Sequence, residues 1–396
     1  MPVARKLLDN ARNLRAWMGL PREVRDLSRR DRNEPGRDPG LERSVEAATE
    51  WLCRAQTCSK TADGGVARHY SLIDGWGASY PETTGYIVPT LFSAAERTAN
   101  EEYLGCARKM LDWLLRIQMP CGGFQGGTVL DRPVVPVTFN TGQVLMGMAD
   151  GTKRFGEPYH SATIRAADWL VGCQDADGAW RRNESPFALS GDKTYHTHTA
   201  WGLLEAASAT RSEKFAEAGM RNIRWALGKL QDNGWFEDCC LTDPTQPLTH
   251  TLGYALRGII EGYRFSQDER LLDAAIRSAN GFLSAQRADG AIPGRLDRKL
   301  KGTVPWVCLT GNVQIAHCWL QLSQLTGERL YRDAAGAANQ YVRRTIDVEG
   351  SPETTGAVRG SYPISGGYGT YQYLNWAAKF FVDANVLEKE LREGPK

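Results

Sequence analysis

A helical phrase recurs six times in this chain, and no other feature restricts the fold as strongly. The phrase opens on an aromatic residue or leucine, at Leu41, Tyr103, Tyr159, Phe215, Leu271 and Tyr331, with openings 56 to 62 residues apart. It closes about fifteen residues later on Gln56, Gln118, Gln174, Gln231 and Gln286, with Ile346 in the sixth copy. Each closing leads into a glycine turn: Ala-Asp-Gly-Gly at 62–65, Cys-Gly-Gly-Phe at 121–124, Asp-Gly-Ala-Trp at 177–180. Asn-Gly-Trp-Phe at 233–236, Asp-Gly-Ala-Ile at 289–292 and Glu-Gly-Ser at 349–351 complete the set. Glycine at these points stops a helix and admits the positive φ of a tight reversal.

Inside the phrase the apolar residues keep helical spacing, as in Leu104, Ala107, Leu111, Leu114 and Leu115. After each turn a polar stretch leads to a second, more apolar helix. These begin at Thr84, Thr141, Thr199, Thr251, Thr310 and Asn375, residues suited to N-capping, with a small residue within two positions of each. The unit is therefore a pair of antiparallel helices, one amphipathic and one apolar nearly all round. Six such hairpins predict an all-α (α/α)6 toroid of about twelve helices over residues 37–390, with the apolar set inside. An open solenoid would not need six distinct polar motifs at one end of the inner helices.

Composition narrows the class. No run of 18 apolar residues exists, and no secretory leader is read in the first fifteen residues. The net charge of +2 hides a basic start: residues 1–33 carry nine basic and four acidic side chains. A basic extension is expected over 1–36, and its Leu7, Leu8, Leu14, Trp17 and Met18 would suit a peripheral membrane or protein contact. The body lacks a basic stripe, so no nucleic-acid partner is expected. Nine scattered cysteines read as reduced thiols, and the expected setting is the cytoplasm, at most peripheral to the inner membrane.

In a toroid the six inner-helix N-termini converge on one mouth, where free N–H groups favour anionic or polyhydroxyl ligands. The segments arriving there hold Tyr80, Glu82 and Tyr86; Asn140 and Gln143; Tyr195, His196, His198 and Trp201; His250 and Tyr254. Trp306 and Asn312, and then Tyr368, Asn375 and Trp376, come last. Of six histidines, His69, His196, His198 and His250 lie in or beside this set, while His160 and His317 sit within helices. Trp76 and Trp180 could add faces for sugar rings, and Arg359 or Arg181 could grip a uronate carboxylate. Glu82, Tyr195, His196, His198 and His250 are the candidate catalytic residues. No cofactor is expected. His196 and His198 diverge at a helix start, so zinc ligation with His250 is disfavoured.

The repeats together with Tyr80-Pro-Glu-Thr-Thr-Gly-Tyr, Phe139-Asn-Thr-Gly-Gln, Leu309-Thr-Gly-Asn and Gly367-Tyr-Gly-Thr-Tyr-Gln-Tyr-Leu-Asn-Trp-Ala-Ala-Lys-Phe-Phe resemble exopolysaccharide-cluster proteins of bacteria and archaea. Those proteins are described as prenyltransferase-like repeat or polysaccharide-biosynthesis proteins, and the likeness covers about residues 41–388. The wider class is similar to six-hairpin glycosidases and toroidal polysaccharide lyases. Tyr195-His-Thr-His-Thr resembles a Tyr-His-Thr-Thr-His run of glucuronyl C5-epimerases. The Gln…Gly-Gly-Phe turns are similar to those of squalene cyclases and protein prenyltransferase β-subunits. The Asp-rich protonating motif of the cyclases and the zinc sets of prenyltransferases and lanthionine cyclases are missing here, which disfavours terpenoid and prenyl chemistry.

The resemblance implies an oligo- or polysaccharide partner and a role in exopolysaccharide metabolism. A glycosidase needs two carboxylates, and the mouth motifs supply Glu82 alone, with Asp74, Asp192 or Asp243 on adjoining loops as partners. A lyase or C5-epimerase needs groups that neutralise a uronate carboxylate, plus an acid and a base, for which Asn, Gln, His and Tyr are plentiful. The residue inventory favours proton abstraction. A glycoside hydrolase with Glu82 as general acid, and a non-catalytic glycan-binding subunit of a synthesis complex, remain the alternatives.

Overall fold

The computed structural model describes residues 17–394. Leu7, Leu8 and Leu14 of the basic extension therefore lie outside the described residues. Thirteen α-helices occur among the described residues. Helix α1 (Arg22–Arg30) is followed by six pairs: α2 (Leu41–Thr57) with α3 (Pro81–Thr98), α4 (Glu101–Ile117) with α5 (Thr138–Phe155), α6 (Tyr159–Cys173) with α7 (Thr197–Thr210). The series ends with α8 (Glu213–Leu227) and α9 (Thr249–Ser266), α10 (Glu269–Ala285) and α11 (Leu309–Thr326), α12 (Arg329–Arg343) and α13 (Asn375–Glu393). Each odd-numbered helix from α3 onward packs on the next, and α13 returns against α3. The ring is closed, as the repeats predict.

Burial explains which helices lie inside. Helix α4 buries one face, with Tyr103, Cys106, Ala107, Met110, Leu111 and Leu114 at spacings of three and four. Helix α11 buries every residue from Leu309 to Ser323 except His317, because it has neighbours on all sides. Such crowding demands small residues. A Cβ on Gly85 would sit 2.4 Å from Val144 Cα, and one on Gly202 would sit 2.1 Å from Gly142 O. The backbones of α3, α5 and α7 thus meet directly at these glycines.

The repeated glutamine stitches one repeat to the next. Gln118 Nε2 donates to Gly122 O of its own turn (3.0 Å) and to Ala162 O on the following outer helix (2.9 Å). Gln56, Gln174 and Gln286 make the same two bonds. A buried carboxamide that satisfies two carbonyls on different segments holds the ring in register.

The threonines that open the inner helices act differently from the capping role expected of them. The helices begin about one turn earlier at Pro81 and Thr138, so Thr84 and Thr141 lie inside them. Thr84 Oγ1 donates to Tyr80 O (2.8 Å) and accepts from Val66 N (3.0 Å). Thr141 likewise donates to Val137 O and accepts from Phe124 N, both at 2.9 Å. Asn312 does this for the fifth repeat, accepting from Ile292 N at 2.7 Å. These side chains clamp the backbone descending from each glycine turn, which would otherwise bury an unpaired N–H.

Short strands build one wall of the mouth. Strands β1 (His69–Ser71) and β2 (Gly75–Trp76) pair antiparallel, while β3 (Val307–Cys308) pairs with β4 (Ser361–Tyr362). Strand β5 (Gln372–Leu374) runs straight into α13 and pairs with β1, His69 opposite Leu374, so first and last repeats are joined across the seam. The segment after α1 is fastened to the last repeat. Asp31 pairs with Arg359 at 2.7 Å, and Asp38 pairs with Arg343 at 3.0 Å. No helix among the described residues is long and apolar enough to cross a membrane.

Candidate active site

The inner-helix N-termini surround a cavity of about 690 Å³. Glu82 enters from the first turn of α3, where Pro81 at the first helical position presets the backbone. Asn140 comes from the first turn of α5. His250 and Tyr254 come from the first two turns of α9, and Trp376 from the start of α13. Tyr195 and His196 stand on a short 3-10 turn, Thr194–His196, that feeds α7. Strands β1 and β2 contribute His69 and Trp76, and the loop before β5 contributes Tyr368. Tyr80 completes this set of anticipated residues that share the cavity: eleven in all with Glu82.

Glu82 is the group whose environment is least ordinary. Its carboxyl accepts a 2.6 Å hydrogen bond from Tyr80 Oη. A helix N-terminus and a hydrogen-bond donor both favour the charged form, yet burial outweighs them and pushes the pKa up to about 7. Such a carboxyl is present in both protonation states near neutral pH, as a proton-transfer group requires.

Burial moves the imidazoles the other way. His250 is lowered to about 4, His196 to about 3 and His69 to about 4, the last with help from the adjacent Arg68. All three are neutral at pH 7. Gln314 Oε1 can only accept, so its 2.7 Å bond to His250 Nδ1 places the proton there and leaves Nε2 as an acceptor. The ring of Tyr254 lies between His198 and His250, with centroids 4.4 Å from each, and Phe139 meets its edge at 5.2 Å. Burial raises the phenols of Tyr254, Tyr195 and Tyr368 well above 10, so they are donors. Trp376 Nε1 donates to Tyr368 Oη at 2.8 Å.

The remaining anticipated residues lie elsewhere, each for a visible reason. His198 sits outside the cavity beneath Tyr254. Its Nδ1 is bonded to Gln143 at 2.6 Å, so the Tyr195–His198 pair is not shared by the cavity. Tyr86 packs on Phe380 inside the ring, and Trp180 is core, donating to Leu170 O. Trp201 bonds Glu205 beneath the guanidinium of Arg257, and Trp306 fills the space left by Gly294 and Gly367. Asn312 and Asn375 are spent on backbone, the latter on Ala67 O at 2.9 Å. Neither arginine expected to grip a carboxylate is available for it. Arg359 is sealed against Asp31, and Arg181 is tied to Asp175, Asp177 and Asp192. Asp192 is spent in that cluster, and Asp243 bonds the Thr245 turn.

The cavity's own guanidinium is Arg68, one residue before His69. It stacks over Trp376 at 5.1 Å, and Nη1 reaches His69 Nδ1 at 3.1 Å. Its position beside His69, in the polar stretch leading to the first inner helix, was the available signal. Glu184 also lines the cavity, with Oε1 buried and without a hydrogen-bond partner among the described residues. Lys193 Nζ is 3.8 Å from that oxygen, and burial raises the carboxyl pKa. It stands on a long irregular connection, and no motif marks it. Asp74 and Asp131 line the rim, where Asp131 accepts from Thr128 N at 2.6 Å. No cluster of three or more metal-ligating side chains occurs among the described residues.

The family model of the squalene-hopene cyclase C-terminal domain matches residues 66–260, somewhat less than half of the chain. A solved unsaturated glucuronyl hydrolase specific for heparin superposes with a TM-score of 0.71 at 15% identity, covering 89% of this chain and 98% of that one. A sugar epimerase from a ruminal bacterium gives 0.70 at 11% identity, over 90% and 98%. Cellobiose 2-epimerase from Bacillus thermoamylovorans gives 0.68 at 11%, over 88% and 98%. The fold is the (α/α)6 toroid. At such identities the likeness to these structures concerns the fold alone.

Proposed function

We propose that this chain is a carbohydrate-active enzyme that moves a proton on a uronic-acid-containing glycan, by lyase or C5-epimerase chemistry. The observation that carries the reading is Glu82, a carboxyl brought to about 7 in an aromatic-walled cavity that also holds a guanidinium. Aromatic faces suit sugar rings, and Arg68 suits a uronate carboxylate. Hydrolases and epimerases of sugars among the structural neighbours agree with a sugar ligand. The motif likeness to exopolysaccharide-cluster proteins makes exopolysaccharide metabolism the proposed setting.

In this reading Arg68 holds the carboxylate and stabilises the charge that spreads onto it when the adjacent C5 proton leaves. Ionised Glu82 takes that proton, the phenol of Tyr254 serves as a facing donor, and His250 Nε2 accepts a sugar hydroxyl. One observation favours a second reading. Glu184 gives the cavity another carboxylate, and protonated Glu82 with Glu184 would make the acid and base of a glycoside hydrolase.

The test is incubation with uronate oligosaccharides in deuterated and ordinary buffer. An alkene absorbance band selects the lyase, and deuterium at C5 without cleavage selects the epimerase. New reducing ends without an alkene replace both by the hydrolase. Binding without any turnover, unchanged in Glu82→Gln, would leave a glycan-binding subunit. The pH profile separates the chemistries again. Turnover that needs ionised Glu82 rises with pH through about 7, whereas turnover that needs it as an acid falls there.

A further inference from the structure

Two loops beside the cavity mouth expose large aliphatic and aromatic side chains that nothing in the ring requires. Leu130 is 54% exposed and Val134 45% on the loop leading to α5. Phe187 is 61% and Leu189 56% on the loop leading to α7. The loops are neighbours, since Thr138 N donates to Asn183 O at 2.9 Å. The second is also anchored to the cavity wall, because Leu189 N donates to Leu241 O at 2.9 Å and Leu241 lines the cavity.

Continuity with the cavity decides what this ridge is for. Leu130 and Phe187 line the same space as Glu82 and Arg68, so a molecule seated on those polar groups leaves the cavity across them. Polar groups at the floor and an apolar ridge at the exit match an amphiphile held head-down. Exposed apolar side chains at a binding cleft mark a ligand contact.

We infer that the ligand is a sugar carrying a hydrocarbon chain, its glycan in the cavity and its chain laid over Leu130, Val134, Phe187 and Leu189. The inference rests on the sugar reading of the cavity and adds the lipid portion to it. A chain lying on an open ridge buries one side of each methylene. The affinity gain is then about twofold per methylene, about half the logarithm of the full-burial value.

The experiment is calorimetry of the full chain with methyl, butyl and octyl β-D-glucuronide below the micellar concentration. Octyl glucuronide is expected to bind about sixteenfold tighter than butyl. In Val134→Ser/Leu189→Ser that ratio falls toward one, while the melting temperature stays that of the wild type. Equal affinity for butyl and octyl glucuronide would overturn the inference and leave the sugar reading standing. If octyl tetraethylene glycol, which has no sugar, binds as tightly as octyl glucuronide, the sugar reading fails instead. Sedimentation with mixed phosphatidylcholine–phosphatidylglycerol vesicles, without any glycoside and lost in the double variant, would reassign the ridge to membrane docking and overturn the inference.

Discussion

Two regions of this toroid bury ionisable groups, and they handle them in opposite ways. At the wall beside the last repeat each buried charge meets its counter-charge. Arg359 pairs with Asp31 at 2.7 Å, side chains 6% and 4% exposed, and Arg343 pairs with Glu388 at 2.9 Å. At the mouth Glu82 meets only a phenol, His250 only a carboxamide, and burial drags both toward their neutral forms. Paired burial holds the N-terminal segment and the last repeat together. Unpaired burial costs stability, and it leaves Glu82 exchanging protons near neutral pH and His250 uncharged there.

The sharpest test of this contrast is Glu82→Gln. Turnover of a uronate glycan should fall on the order of 10²–10⁴-fold, as expected when a proton-transfer group is lost. The same substitution should stabilise the protein. An isolated Glu titrates near 4.5 and Glu82 near 7, so its stabilising contribution is complete below 4.5 and lost as pH rises to about 7. Removing the charge is therefore expected to add about 3 kcal/mol at pH 8 and little at pH 4, read from denaturant melts. A destabilised variant at pH 8 would break the comparison.

Arg359→Met should do the reverse, costing about 3–5 kcal/mol because Asp31 is left buried and uncompensated. Adding Asp31→Asn should recover part of this, while Asp31 Oδ2 no longer serves Ile364 N as a carboxylate. Catalysis per folded molecule should not change in either variant. Next in size is Arg68→Gln. Its KM for a uronate glycan should rise about tenfold, the value of a charge-assisted bond, with no such change for the neutral-sugar analogue. The last effect, seen only on the acid side, concerns the imidazoles at the mouth. His250 and His196 titrate near 6.5 when unfolded and near 4 and 3 when folded, so stability is expected to fall as pH drops below 6.5. In His250→Gln that acid-side slope should be measurably shallower.

Much of the architecture was legible in the repeats. Gln56, Gln118, Gln174 and Gln286 recur because in each of these units one carboxamide serves two carbonyls, and the glycines follow because these turns touch the next outer helix. Gly122, with φ +97, would place a Cβ 2.3 Å from Arg165 O. The mouth motifs likewise marked Glu82, Tyr80, Asn140, His250 and Tyr254. Less could be read of roles. Thr84 and Thr141 look like caps in a linear sequence, since only the folded ring shows the descending backbone they clamp. Arg68 and Arg359 are indistinguishable as letters, and one faces the cavity while the other is consumed by Asp31, 328 residues away.

What the sequence determined by itself is the periodic part: six helix pairs, their glycine turns, and the convergence of polar motifs on one end. Periodicity reports local geometry and the burial each unit needs from its neighbours, and both are encoded within about sixty residues. The tertiary structure alone decided which of those polar groups stay unpaired. Gln314 for His250 and Gln143 for His198 come from the neighbouring inner helix, and Asp31 for Arg359 comes from the segment before the first repeat, so tertiary packing supplies all three. Whether a buried ionisable group is structural or reactive depends on that partner, and only the packing of one helix on another supplies it.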